Sequence, residues 1–443
     1  MKAIKRPIIL FFLMCLCSAH LSAQPKQWTL EDCIRYAVEH NITIKQMEIR
    51  KNVAANDLNT VQMSRLPDLS ASIGQDWSFG RSDTRDGVTA TINQSNSSFS
   101  IRSSVPIFTG FRIPNEIARN KLELQAATEN LAKAKEDLSL NIASLFLQVL
   151  FNKELVKINK SQMALSESQV QRTKILVDAG KVPSSQLYDI KAQVANDKVS
   201  VIEAEKNLKL ALLDLMQSLE LERNTEFDIA VPEINDVVTE NMNSVQPVNV
   251  IFDNALQVKP VVKAQEYTVE STVKTLKIAQ SGYLPSLNLG FGYNTGFYNT
   301  NDGSFAKQFT SNAREYINLS LNIPIFNRFS VRNQVRNARF NIENQQLTLE
   351  NIKKDLYKEI QTAYLNAVSS QEKYKASQEA VVSTSESFKY AQERYEIGKS
   401  SVFEFDESRT KLLRSQLEEA QAKYDYIFRA KILDFYNGVP LKL

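Results

Sequence analysis

Glu404 and Glu407 stand three residues apart, shortly after Gly398, where the chain reads as the start of a helix. That spacing places both carboxylates near one helix face. Paired carboxylates suit acid and base chemistry on a glycosidic bond, support of a helix amino terminus, or a ring of charge that selects cations at a pore mouth. The first use needs a pocket, and these acids sit just past a helical turn. The 443 residues include two histidines and three cysteines, and no phosphate loop, nucleophile elbow or metal motif is found. Cys33 and His40 alone lie beyond residue 23, so no intramolecular disulfide is expected there. The sequence reads as non-enzymatic, without cofactor or metal.

Residues 1–23 read as a secretory signal: Lys2, Lys5 and Arg6, an apolar run from Ile8 to Cys17, then Leu21-Ser22-Ala23. Cys17 could suggest a lipoprotein, but Met14-Cys15-Leu16 lacks the small residues that precede such a cysteine, so cleavage is expected near Ala23. Removing three basic residues from 53 leaves 50 against 50 acidic ones, so the mature chain is formally neutral. With no basic run it has no footprint for nucleic acid. No later segment approaches the ~20 apolar residues a membrane helix needs.

The chain repeats itself. Leu66-Pro67-Asp68-Leu69 returns as Leu284-Pro285-Ser286-Leu287, and Val105-Pro106-Ile107-Phe108 as Ile323-Pro324-Ile325-Phe326. Ala179-Gly180-Lys181 returns as Ile397-Gly398-Lys399. Each pair is 218 positions apart (285 minus 67, 324 minus 106, 398 minus 180). A duplicated unit is therefore expected, with repeat 1 over 24–221, a join over 222–250 and repeat 2 over 251–443.

Each unit changes period twice. Leu69, Ala71, Ile73 and Trp77 alternate with Ser70, Ser72, Gly74 and Asp76, which predicts a strand with one apolar and one polar face. Phe99, Ile101, Val105 and Ile107 give its partner, and Leu287 to Phe297 with Ile317 to Ile325 repeat the pair. Strands are expected at about 66–81, 97–108, 284–298 and 314–326, with long polar loops at 81–97 and 299–313. Gly and Pro are then absent for 65 positions (Asn115 to Ala179) and for 73 (Ile325 to Ile397). Leu124, Leu131, Leu138 and Leu145 recur every seven, as do Ile342, Leu349, Leu356 and Ala363. This predicts long helices packed as coiled coils, turning back at Gly180 and Gly398, with hairpins over about 114–222 and 328–437. A single helix is expected before each strand pair, over Leu30 to Ser64 and Ile251 to Ser281.

Four strands are too few to close a barrel, and a sheet in lipid must close, so several chains are expected to pool their strands. The alternative is a soluble sandwich, or a structural periplasmic coiled-coil scaffold. The order of these features, with the opening Trp28-Thr29-Leu30-Glu31-Asp32-Cys33 through Asn41, resembles the TolC-like outer membrane efflux proteins over nearly the whole mature chain.

That resemblance implies a mainly α fold with a membrane β-barrel portion. It implies a homotrimer in the outer membrane whose twelve-stranded β-barrel continues into a periplasmic α-helical barrel, with the join and carboxyl-terminal tail as a belt. The function implied is the duct of a tripartite efflux system, passively exporting small molecules delivered by a periplasmic adaptor and an inner-membrane pump. Polypeptide secretion and metal-ion efflux remain open as cargo. Gly180, Ser184, Gly398 and Ser401 would form the adaptor-docking tip. Glu404 and Glu407, with Gln186 and Asp189 at the matching positions of repeat 1, would form an acidic entrance ring. Arg394, Tyr395 and Asp189 would supply breakable gate links. Leu176 stands where Arg394 would fall in repeat 1.

Overall fold

The computed structural model describes residues 27–83, 89–91, 93–222, 227–232 and 246–442. The expected leader and residues 223–226 and 233–245 of the join lie outside the described residues. The chain divides into two compact units. One holds the described residues up to Gln46, Lys133–Lys259 and those from Asp355 onward; the other holds Met47–Ala132 and Pro260–Lys354.

Where one helix was expected ahead of each strand pair, the structure has two. Helix α1 (Leu30–His40) stops at Asn41, whose ψ of 133° is extended, and α2 (Ile42–Met63) begins at once. The Asn41 side chain accepts from the Thr43 N–H at 2.9 Å, so the residue that ends one helix caps the next. In the second repeat α5 (Val248–Val258) stops at Lys259, with ψ 124°, before α6 (Pro260–Ser281). Position 259 is 41 plus 218, and here the pyrrolidine of Pro260 drives the preceding residue out of helical conformation. Two different local chemistries thus break the helix at the same place.

In the second unit, β1 (Ser70–Ser78), β4 (Gln94–Thr109), β5 (Ser286–Tyr298) and β6 (Arg314–Asn322) form one antiparallel sheet in that order. Two short strands, β2 (Arg81–Asp83) and β3 (Thr89–Thr91), pair with each other. The β4–β5 ladder fuses the two repeats. Across it Val105 faces Leu289, which faces Leu319, and Ile101 faces Tyr293. On the opposite side Ser72, Ser100 and Asn294 line up, as do Ser104, Gly290 and Asn318. One face is apolar and the other small and polar, the outcome of period-two alternation. The apolar face is bare: Ile73 is 78% exposed and Ile317 75%.

The loop at 299–313 is not simply a polar excursion. Residues Phe305–Ser311 form a helix, α7, whose Phe305 and Phe309 pack against Phe99 of β4. The buried Gln308 amide donates to the carbonyls of Tyr298, Asn301 and Gly303, tying α7 to the turn before it. The two aromatics among the Asn, Asp and Gly residues were the signal for this element.

The long helices follow. Helix α3 spans Arg112–Asp178 and α4 Ser184–Ser218; α8 spans Ser330–Glu396 and α9 Val402–Tyr436. Every bound recurs after 218 positions. In the first unit a core gathers Phe146, Val149 and Leu150 of α3, Leu215 of α4, Ile427 of α9, and Leu30 and Cys33 of α1. Burial pushes the Cys33 thiol up to about 12, so it packs as a small apolar group. No described helix is long and apolar enough to cross a membrane.

Each strand-to-helix turn uses two consecutive left-handed residues, Gly110 and Phe111 before α3, Arg328 and Phe329 before α8. A Cβ at Gly110 would lie 2.7 Å from the Ser281 carbonyl oxygen, whereas one at Gly180 (φ +68°) would meet nothing within 4 Å. Gly180→Ala should therefore lose about 1–2 kcal/mol from the conformation alone, and Gly110→Ala more, because the carbonyl must also move. Thermal unfolding midpoints check the ranking; a Gly110→Ala variant as stable as Gly180→Ala would refute it.

Candidate functional site

The turns at Gly180 and Gly398 are built alike. The Gly398 N–H donates to the Tyr395 carbonyl and the Lys399 N–H to that of Arg394, closing a Schellman motif around a glycine at φ +73°. Gly180 and Lys181 make the same two bonds to Val177 and Leu176. Pro183 precedes α4 without a side-chain cap, leaving Ser184 as its exposed first residue. In the second turn Ser401 caps α9, its Oγ accepting from the Glu404 N–H at 3.2 Å.

Glu404 gathers several contacts. It accepts from the Ser400 hydroxyl at 2.5 Å and lies 3.7 Å from the Arg394 guanidinium. The Ser400 bond chiefly, then Arg394 and the Ser401 cap, hold its carboxyl below the usual glutamate range. Glu407 points to solvent and pairs with Lys411 at 2.7 Å, one turn further along α9. Asp189 is exposed and Gln186 half-buried on α4. Asp189 also helps raise the Asp406 carboxyl, which burial pushes up foremost and Arg409 pulls down. Both line a groove of about 840 Å³ with Leu176, Tyr395 and Phe403.

Within one protomer Arg394, Tyr395 and Asp189 do not bond to one another. Arg394 donates to the Lys399 carbonyl of its own turn and approaches Glu404, while Tyr395 stacks on Phe405 at 4.9 Å between centroids.

The polar links that do join the two hairpins are others. Arg172 of α3 pairs with Glu396 of α8 at 3.0 Å and also donates to its carbonyl. Deeper, Arg409 of α9, 4% exposed, lies 3.1 Å from Asp197 of α4. Its Nη1 also donates to Ser166 of α3 at 2.5 Å, and the Ser166 hydroxyl donates to Asp197 at 2.5 Å. Gln193 donates to the second Asp197 oxygen at 2.8 Å. Sequence reasoning missed this network. Its signal was Asp197, a charge where the seam of Ile190, Val201 and Ala204 calls for an apolar residue.

A family model described as outer membrane efflux protein matches residues 33–220 and again 251–438, the second match starting 218 positions after the first. The chain is 22% identical to the outer membrane protein TolC of Escherichia coli over 395 residues, covering 86% of this chain and 77% of that one. Its fold is similar to that of CusC, with a TM-score of 0.78 at 15% identity over 95% and 96% of the two chains. The CmeC outer membrane channel of Campylobacter jejuni is also similar, with a TM-score of 0.75 at 17% identity over 93% and 86%.

Arg409→Met would strand the Asp197 carboxylate among buried groups, a loss of about 3–5 kcal/mol. Adding Asp197→Asn removes the stranded charge and should recover part of it. Unfolding midpoints of the single and double variants check this; a single variant as stable as the parent would show that the network carries no stability.

Proposed function

This chain belongs to the outer membrane efflux protein family, and we propose on that premise that it is the passive outer membrane duct of a tripartite efflux system. Three copies pool their sheets into a twelve-stranded barrel and their helical hairpins into a periplasmic helical barrel. Small molecules enter from a periplasmic adaptor and an inner-membrane pump, which supplies the energy. After removal of an amino-terminal leader the chain resides in the outer membrane.

The observation that carries this reading is the four-stranded sheet. Its order leaves β1 and β6 as edges, one face carries exposed Ile, Leu and Phe, and the other carries Ser, Gly and Asn. Water disfavours the first face and lipid disfavours unpaired edges. Pooling strands from identical copies answers both, with the apolar face toward lipid and the small polar face toward a wet lumen.

The turns at Gly180 and Gly398 then form the adaptor-docking tip, with Ser184 and Ser401 beside them. Glu404 and Glu407 of three chains give six carboxylates around the entrance, with Asp189 and Gln186 on the neighbouring hairpin. Glu404 keeps its charge because Ser400 and Arg394 stabilise the ionised form. Arg394, Tyr395 and Asp189 are exposed or half-buried and free of mutual bonds within a protomer, and so open to contacts between copies that a gate could break.

The protein should pellet with outer membranes after carbonate washing and run as a heat-sensitive oligomer; release by the wash would favour a surface scaffold. In planar bilayers, Glu404→Gln with Glu407→Gln should lower cation selectivity and weaken block by multivalent cations, and unchanged behaviour would remove the acidic ring. Gly398→Pro forces φ to about −65° where the turn needs +73°. It should abolish adaptor cross-linking while the oligomer persists, and retained cross-linking would count against docking there.

A further inference from the structure

We propose that the first turns of α8 form a binding groove for the uncompensated phosphate of an anionic phospholipid headgroup, at the periplasmic border of the barrel. This rests on the outer membrane reading above.

Arg332, Arg336 and Arg339 follow one another at i, i+4 and i+7, so they share a face of α8. They line a groove of about 620 Å³ whose other wall is Gln280 and Tyr283 at the end of α6. All three are exposed, and among the described residues none of them pairs with a carboxylate; Arg332 rests over the Phe329 ring at 4.5 Å. Three guanidiniums in one groove with Tyr283 and Gln280 make a donor-rich concavity for an oxyanion. Guanidinium favours phosphate because its planar fork matches two oxygens at once.

Position names the source of the phosphate. The exposed residues Ile317, Leu319 and Leu321 belong to the apolar face of β6, and Ile325, Phe326 and Phe329 stand bare just after it. An apolar band, then aromatics, then arginines is the order in which a protein surface meets acyl chains, the interface and headgroups. A soluble anion would need no such series.

The duplication supplies an internal control. At the matching positions of α3 stand Pro114, Ala118 and Lys121 (332, 336 and 339 minus 218). The two arginines in the first turns of α3 are neutralised on its own surface, Arg112 by Glu116 at 3.0 Å and Arg119 by Glu123 at 3.3 Å. The turn ahead of α8 also places Arg328 where the first repeat has Gly110, in the same left-handed conformation. A side chain is disfavoured in that conformation relative to glycine, and the one that stands there is basic.

The test uses the full-length protein, purified in detergent as its oligomer and exchanged into micelles holding equal phosphatidylglycerol and phosphatidylcholine, with retained lipid read by mass spectrometry. The parent should retain phosphatidylglycerol preferentially. Arg332→Gln with Arg336→Gln and Arg339→Gln should reduce that retention about tenfold, the loss of one or two charge-assisted contacts. Lys121→Gln should leave it unchanged, and the triple exchange to lysine, which keeps the charge but not the fork, should keep part of it. Inorganic phosphate at millimolar concentration should not compete. Equal retention by parent and glutamine variant overturns the proposal, as does full competition by inorganic phosphate. If the glutamine variant loses the oligomer while the lysine variant assembles but retains no more phosphatidylglycerol than phosphatidylcholine, the arginines serve subunit contact and the proposal also falls. A parent that is released by carbonate washing sinks the membrane reading; a parent that stays in the membrane but shows no preference sinks only this one.

Discussion

Everything in the sheet follows from the ladder between β4 and β5. By pairing Asn96 to Thr109 with Ser286 to Tyr298, it makes one four-stranded surface out of two separate hairpins. A hairpin alone is marginal in water, and four strands with a common apolar face are a larger version of the same problem. The chain carries the face in the open, with Ile73, Trp77, Ile317 and Leu319 all more than half exposed. Within a protomer α7 covers the aromatic end, laying Phe305 and Phe309 over Phe99. A monomer so built is incomplete, and its incompleteness is the physical basis of the proposed duct.

The helices obey a different economy. Part of their apolar surface finds partners inside the chain, in the buried core around Phe146, Leu215 and Ile427, while Leu213 of α4 and Leu365 and Val382 of α8 stay more than half exposed. Each buried side chain of this size contributes about 1.5–3 kcal/mol. The two hairpins are further joined by a charge, Arg409 on Asp197, held among Ser166 and Gln193. A buried ion pair adds little net stability over apolar packing but punishes the loss of one partner. It therefore ties the two hairpins together at one defined point, Asp197 of α4 against Arg409 of α9.

Duplication lets one repeat explain the other. The same helix break is made by an asparagine cap in one half and by a proline in the other, and the same strand-to-helix turn by glycine in one and arginine in the other. Backbone geometry is what the two halves share; side chains are free to diverge wherever that geometry is met. At Arg332, Arg336 and Arg339 the halves also diverge in charge, and among the described residues no carboxylate pairs with these arginines.

The sequence by itself determined the repeat and its offset, the mainly helical fold, the two faces of the strands and the glycine turns. All of these are written in local periods and in the few residues that permit left-handed backbone. Asn41 ended a helix that periodicity ran through, because a cap acts over one turn and leaves the hydrophobic pattern undisturbed. Tertiary structure alone decided that α7 covers Phe99, that Arg394 turns to Glu404 while Tyr395 turns to Phe405, and that Asp197 meets Arg409, 212 positions away. Such contacts cross a turn or join residues distant in the chain, and their partners are chosen by which surfaces the elements bring together, which no period in the sequence records.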